Sequence, residues 1–299
     1  MMYKFIPPIA VIFAALLWSL DGFLRQKLYS VPSFLIITLE HGIGALLFIP
    51  LLIRTIPEIR TLGQRGWISM LWISICGGIL GTFFYTKALS YVQYIDLSIV
   101  VLLQKLQPLF AIALAAIILK EKLSKRYLVL ALSAMIGGFL VTFGIQPMSQ
   151  WDEKTMIAAL LATLAAFSWG SSTVLGKHAL KQISYTAVTA LRLVLTAIVA
   201  LVILIANHGG IPEISLSSNQ WGILIIIVFS TGAVALFIYY YGLKNLPASH
   251  AALYELTWPL SAVIIDWIVR GRILSPSQII GAVLLLGSMT LLTQEKMND

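Results

Sequence analysis

DLSIVVLLQKLQPLFAIALAAIILKEKLSKR, residues 96–126, is the stretch from which the rest of the chain is read. Its apolar part is long enough for a helix to cross a bilayer, which takes about 20 residues. It ends abruptly in Lys120, Glu121, Lys122, Lys125 and Arg126. Yet Gln104, Lys105 and Gln107 sit near its middle, followed by Pro108. Polar groups at that depth cost a few kcal/mol each, about 2.5 or more for a charge, unless they face a cavity or a partner. Proline removes a helical hydrogen bond, and a membrane tolerates the freed groups only where protein or water satisfies them. The stretch therefore predicts a broken transmembrane helix lining a polar pathway. A second such stretch, Ala248 to Arg270, carries Glu255 four residues before Pro259.

Composition agrees. Of 299 residues 59% are hydrophobic and 11% charged, with a mean hydropathy of +0.94. A soluble domain carries about 25% charged residues, so the chain is built for a bilayer. The net charge of +8 is spread over short loops rather than gathered on one face, which argues against nucleic acid. Cys76 is the single cysteine and excludes an intramolecular disulfide. Around residues 1–29, Trp18, Asp21 and Arg25 do not resemble a cleavage site, and the segment reads as a retained first span.

Ten apolar segments follow one another at about 6–25, 33–53, 67–87, 96–119, 127–145, 155–175, 185–206, 219–241, 249–269 and 276–293. The polar stretch 146–154, QPMSQWDEK, falls at the midpoint, and the halves on either side of it match. Trp18 and Trp169 lie 151 residues apart, as do Gly81 and Gly232, Pro108 and Pro259, and Ser124 and Ser275. Tyr85 matches Tyr239 at an offset of 154. The expected fold is an all-α membrane protein of ten transmembrane helices, arranged as two five-helix repeats, 1–148 and 149–299. Five is an odd number, so the second repeat enters from the opposite side and the repeats are inverted. Inverted repeats are a transporter architecture, with the site near the bilayer midplane between them. Twelve Lys and Arg lie on the side holding both termini and six on the other; the positive-inside rule places the termini in the cytoplasm.

Ten spans, a Trp in the first helix of each repeat and a Pro in each fourth helix resemble the drug/metabolite transporter superfamily, EamA type. Glu121-Lys122-Leu123-Ser124 and Leu274-Ser275 with Gln278 and Gly281 carry the family's turn after the fourth helix. Arg272 replaces the second Glu of that turn, and His41 stands where the second helix of the family often has Arg, which Arg192 retains. The resemblance implies a carrier of small metabolites in the inner membrane, working by alternating access.

The polar residues within spans are the candidates for substrate binding. Gln104, Lys105 and Pro108 share a helical face, as do Glu255 and Pro259. With Glu40, His41 and Arg192, they are expected on the central pathway: Lys105, His41 and Arg192 toward anionic groups, Glu40 and Glu255 toward cationic groups or protons. The competing reading is that these charges pair merely to lock helices together. Trp18, Trp169, Tyr85 and Tyr239 are candidates to stack on a ring or cation, or to pack between helices. Pro108 and Pro259 are the candidate hinges. Asp21 with Arg25, and Asp266 with Arg270, are spaced for local ion pairs. His250 reads as an interfacial or capping residue. Gly77-x-x-x-Gly81 and Gly137-Gly138 read as packing contacts.

No Walker loop, Gly-x-Ser-x-Gly or His-Glu-x-x-His motif occurs. The chain is therefore expected not to be an enzyme, to need no cofactor or metal, and to be driven by a gradient, protons being one candidate. The mixed charges and aromatics favour a zwitterion such as an amino acid, with export the commoner direction in the family. Uptake, or export of drugs and organic cations, is the alternative within the fold. A lipid-modifying membrane enzyme, or a channel or scaffold, is the alternative outside it. The partners expected are a small-molecule substrate and the lipid bilayer, with a homodimer left open.

Overall fold

The protein is described from a computed structural model covering residues 5–28, 30–89, 103–104, 106–143, 153–208, 210, 215–258, 260–261, 264 and 275–298. Its first three spans are α1 (Ile6–Gln26), α2 (Ser33–Arg60), and a continuous run of α3 (Gln64–Trp72), a π-helical turn (Ile73–Leu80) and α4 (Gly81–Leu89). The fourth and fifth are represented by α5 (Gln107–Ile118) and α6 (Lys125–Phe143). The second half repeats the order: α7 (Glu153–Leu180), α8 (Tyr185–His208), α9 (Ser218–Phe229) with α10 (Ala233–Lys244), α11 (Ala248–Tyr254), and α12 (Pro276–Asn298). Each of the ten expected segments thus coincides with a helix or holds part of one, and no strand occurs among the described residues. Five helical runs among them are by themselves long and apolar enough to cross a membrane, from Ser33–Arg60 to Ser218–Lys244.

The pattern of packing carries the two-fold relation. The first span packs on the eighth and the third on the sixth; the fourth packs on the sixth and the ninth on the first. The second packs on the seventh, the fourth on the ninth and the fifth on the tenth. Exchanging the halves turns each of these pairs into another of them, or into itself.

Small residues make the close approaches, as is usual where lipid removes the hydrophobic drive between helices. A Cβ on Gly137 would stand 2.7 Å from Leu285 N, and one on Gly281 2.6 Å from Val141 N, so α6 and α12 touch backbone to backbone. Gly77 and Gly81 let the third span close on the side chains of Ser172 and Trp169. Outward, Ile53, Ile117, Val129, Leu132, Leu160, Val202 and Val283 are each at least 53% exposed. So broad an apolar surface belongs in hydrocarbon.

Both third-type spans leave the α-helix just before their matching glycines. The first passes through the π turn into Gly81. The second breaks at Ser230–Gly232, where Gly232 N and Ala235 N reach back five residues, to Ile227 O and Ser230 O. Nothing in the apolar periodicity marks either break.

Loop ends are held by side chains. Glu121 accepts from Ala248 N (2.7 Å), Ser249 N (3.2 Å) and Ser249 Oγ (2.6 Å), tying the end of the fourth span to the start of the ninth. Lys120 makes that possible by adopting φ 55°, the left-handed region, directly after α5. Lys177 Nζ donates to the carbonyls of Leu243 and Lys244, and Lys244 Nζ to those of Leu180 and Ile183, so the two lysines cap each other's helices.

Candidate functional site

Pro108 does not kink a continuous helix. It lies in the first turn of α5, after a turn at Leu106 whose N–H reaches Leu103 O at 3.1 Å. The missing N–H costs nothing at that place. The ninth span also turns before its proline: Leu256 N bonds Leu253 O (3.1 Å) and Trp258 N bonds Glu255 O (3.0 Å), three residues apart rather than four. Lys105 and Pro259 lie outside the described residues, as do Asp266 and Arg270.

Glu255 is set at that second turn, and its carboxylate is gripped by neutral donors from three other spans. Gln107 Nε2 donates to Oε2 at 2.6 Å; Tyr239 Oη donates to Oε1 at 2.7 Å, and Thr173 Oγ1 to the same oxygen at 3.3 Å. Thr173 and Tyr239 also meet at 2.9 Å. Gln104 Nε2 donates to Gln107 Oε1 at 3.3 Å. On the other side, Tyr239 and Tyr240 rings lie 5.5 Å apart, and Arg192 Nη1 donates to Tyr240 Oη at 2.5 Å. Hydrogen bonds therefore run Tyr239–Glu255–Gln107–Gln104, from the eighth span to the fourth, and the Tyr239–Tyr240 ring contact joins the Arg192–Tyr240 pair to this chain. Two of its buried atoms, Arg192 Nε and Gln104 Oε1, have no hydrogen-bond partner. Leaving such an atom unpaired costs about 1–3 kcal/mol.

Two aromatic pairs flank this chain and obey the two-fold relation. Trp18 lies 5.1 Å from Tyr239 at 53° between planes, and Trp169 lies 5.6 Å from Tyr85 at 58°. Each joins the first helix of one repeat to the third of the other. Trp169 is one turn before Thr173 and so shares its face. Trp18, Tyr85, Trp169, Gln107 and Glu255 are all half-buried, so their surfaces are not consumed by packing.

Glu40 is placed differently. Its carboxylate accepts from Arg25 Nη2 at 2.7 Å, while Arg25 Nε pairs with Asp21 and Asp21 accepts from Thr231 Oγ1 at 2.7 Å. The expected Asp21–Arg25 pair is present, and it extends to bind the first, second and eighth spans. His41 bonds Ile37 O through Nδ1 at 3.0 Å. The His250 ring lies 4.9 Å from that of Tyr127, tilted by 34°.

The structure thus brings Gln104, Glu255, Arg192, Tyr239 and Trp18 together, places Tyr85 and Trp169 alongside, and engages Glu40 elsewhere. Sequence reasoning had not singled out Thr173, Tyr240 or Thr231. Thr173 had a signal, four residues after Trp169; Tyr240 was hidden within Tyr239–Tyr241; Thr231 had none.

The sequence pattern of the EamA-like transporter family matches residues 6–143 and again 156–294. Among curated proteins, the riboflavin transporter ImpX of Fusobacterium nucleatum is 35% identical over 282 residues, covering 93% of this chain and 94% of that protein. A riboflavin transporter of Brucella anthropi is 24% identical and covers 89% of both. A biotin transporter of Escherichia coli K12 is 24% identical over 80% of this chain and 76% of its own. A solved crystal structure aligns over 97% of this chain with a TM-score of 0.75 at 21% identity, which supports the fold. The chain belongs to the EamA-like transporter family: it is a multi-pass membrane transporter of a small molecule, not an enzyme.

Proposed function

We propose that the protein is a secondary transporter carrying a flavin-type metabolite, a flat heteroaromatic ring bearing amide edges, across the cytoplasmic membrane. The observation that carries this reading is the pair of half-buried Trp–Tyr contacts, Trp18–Tyr239 and Tyr85–Trp169, beside a polar chain of mostly neutral donors. A flat ring offers a large face to stack on aromatics, and its polar edge can be read by amides. The most similar of the relatives above transports riboflavin by name, which supports the same class. An amino acid is the second reading, favoured by the opposite charges of Glu255 and Arg192 on either side of the Tyr239–Tyr240 pair. Its support narrows because Glu40 and Arg25 bind each other.

In this reading the repeats 1–148 and 149–299 rock about the Glu255 site, both termini are cytoplasmic, and Glu255 exchanges a proton for substrate. Proteoliposomes holding the purified protein test it: labelled riboflavin should exchange, saturate, and resist competition by amino acids. Exchange of labelled amino acids with no riboflavin exchange would favour the second reading. Impermeant thiol labelling of single cysteines at Lys122, Lys154, Arg272 and Lys296, with Cys76 replaced, tests the topology. Labelling of the Lys122 and Arg272 variants from the same side would sink it.

A further inference from the structure

The chain of hydrogen bonds at the site has a direction, and its direction is set by Glu255. An ionised carboxylate only accepts. Gln107 must therefore turn its NH2 to Glu255 Oε2 (2.6 Å), which leaves Gln107 Oε1 facing Gln104. That oxygen accepts, so Gln104 must donate its NH2 in turn (3.3 Å). The far end of the chain is then an amide oxygen, Gln104 Oε1. It sits in a residue only 6% exposed, has no partner, and is adjacent to the fourth-span break. In the ionised form of Glu255, the one that has given up its proton for substrate, both glutamines are fixed in one sense, so the site ends in an acceptor.

We infer that Gln104 is the specificity-determining residue of the site: its Oε1 accepts the ring N–H of a cyclic amide, imide or urea edge on the substrate. The inference rests on the flavin-type reading above and names the atom by which the ring would be recognised. The isoalloxazine ring carries such an N–H at N3, between two carbonyls, and the ureido ring of biotin carries a cyclic urea N–H. A free amino acid has no cyclic amide, imide or urea N–H and is not selected by this acceptor. A site built to hydrogen-bond a group rejects the analogue lacking it far more strongly than an apolar pocket rejects one extra methyl.

The test needs no variant at its first step. Binding of riboflavin and of N3-methylriboflavin to the purified wild-type protein is measured by quenching of flavin fluorescence. Riboflavin should bind at least tenfold more tightly. Gln104→Met, which keeps the length of the side chain and removes the acceptor, should bring the two flavins within about threefold of each other. Equal binding of both flavins by the wild type would overturn the role of Gln104 while leaving the flavin reading intact. Discrimination that survives in Gln104→Met would show a steric clash with the methyl group and overturn it as well. Failure of both flavins to bind the wild type at all would overturn the flavin reading, and this inference with it.

Discussion

Glu255 and Gln104 occupy equivalent places in the two repeats, each four residues ahead of the proline of a broken helix. In the second repeat that place holds a carboxylate surrounded by Gln107, Tyr239 and Thr173. In the first it holds an amide with one oxygen unmatched. What the halves share is the frame: tryptophan against tyrosine, a break before a glycine, a proline after the polar residue. What they do not share is charge. Glu40 answers to Leu191, His41 to Arg192, and Arg25 to Gly176. Duplicated geometry gives two equivalent walls, and unequal charges on those walls would make the proposed site between them asymmetric, with a donor end and an acceptor end.

The largest effect expected is on stability and belongs to the first repeat. Arg25→Ala leaves Glu40, 6% exposed, without its guanidinium, and stranding a buried charge costs about 3–5 kcal/mol. Thermal unfolding of the purified protein reads this. Arg192→Met in the second repeat strands no carboxylate that the structure describes and should cost under about 2 kcal/mol. Equal losses would break the contrast between the repeats.

Transport comes next. Glu255→Gln should lower riboflavin exchange about tenfold or more, since hydrogen bonds to a charged group contribute about 1.5–3 kcal/mol, with the protein still folded. The swap Gln104→Glu with Glu255→Gln sharpens the point. If the site were symmetric in function, the swapped protein would recover; continued inactivity in a well-folded protein fits an asymmetric one.

The aromatic walls, by contrast, should behave alike. Trp18→Ala and Trp169→Ala are each expected to weaken flavin binding by about tenfold, the range of about 1–3 kcal/mol found for stacked bases. Effects differing by more than an order of magnitude would mean that one pair is packing only.

The smallest effect concerns the end of α5. Lys120 holds a left-handed conformation that a side chain resists by about 1–2 kcal/mol, and Gly271 stands at the matching place in the second repeat. Lys120→Gly should therefore raise the unfolding temperature slightly and leave transport alone. A loss of stability would mean that the Lys120 side chain makes a contact worth more than the strain.

The sequence by itself determined the membrane fold, the ten segments, the duplication and the inversion that an odd number of spans requires. These depend on runs of apolar residues and on residue identity at fixed offsets, which neighbours in space do not alter. It also determined the Asp21–Arg25 pair and the packing glycines, because such contacts follow from spacing on one helix. Only the tertiary structure decided the rest. Whether Glu40 lines the pathway or pairs with Arg25 depends on how the first and second spans cross, and no periodicity encodes that. The same holds for Thr231, held by Asp21 some 210 residues away in sequence, and for Tyr240 beneath Arg192. The direction of the hydrogen-bond chain through Gln107 is the clearest case. Four spans meet there, and the sense of each amide is fixed by the one carboxylate at its end.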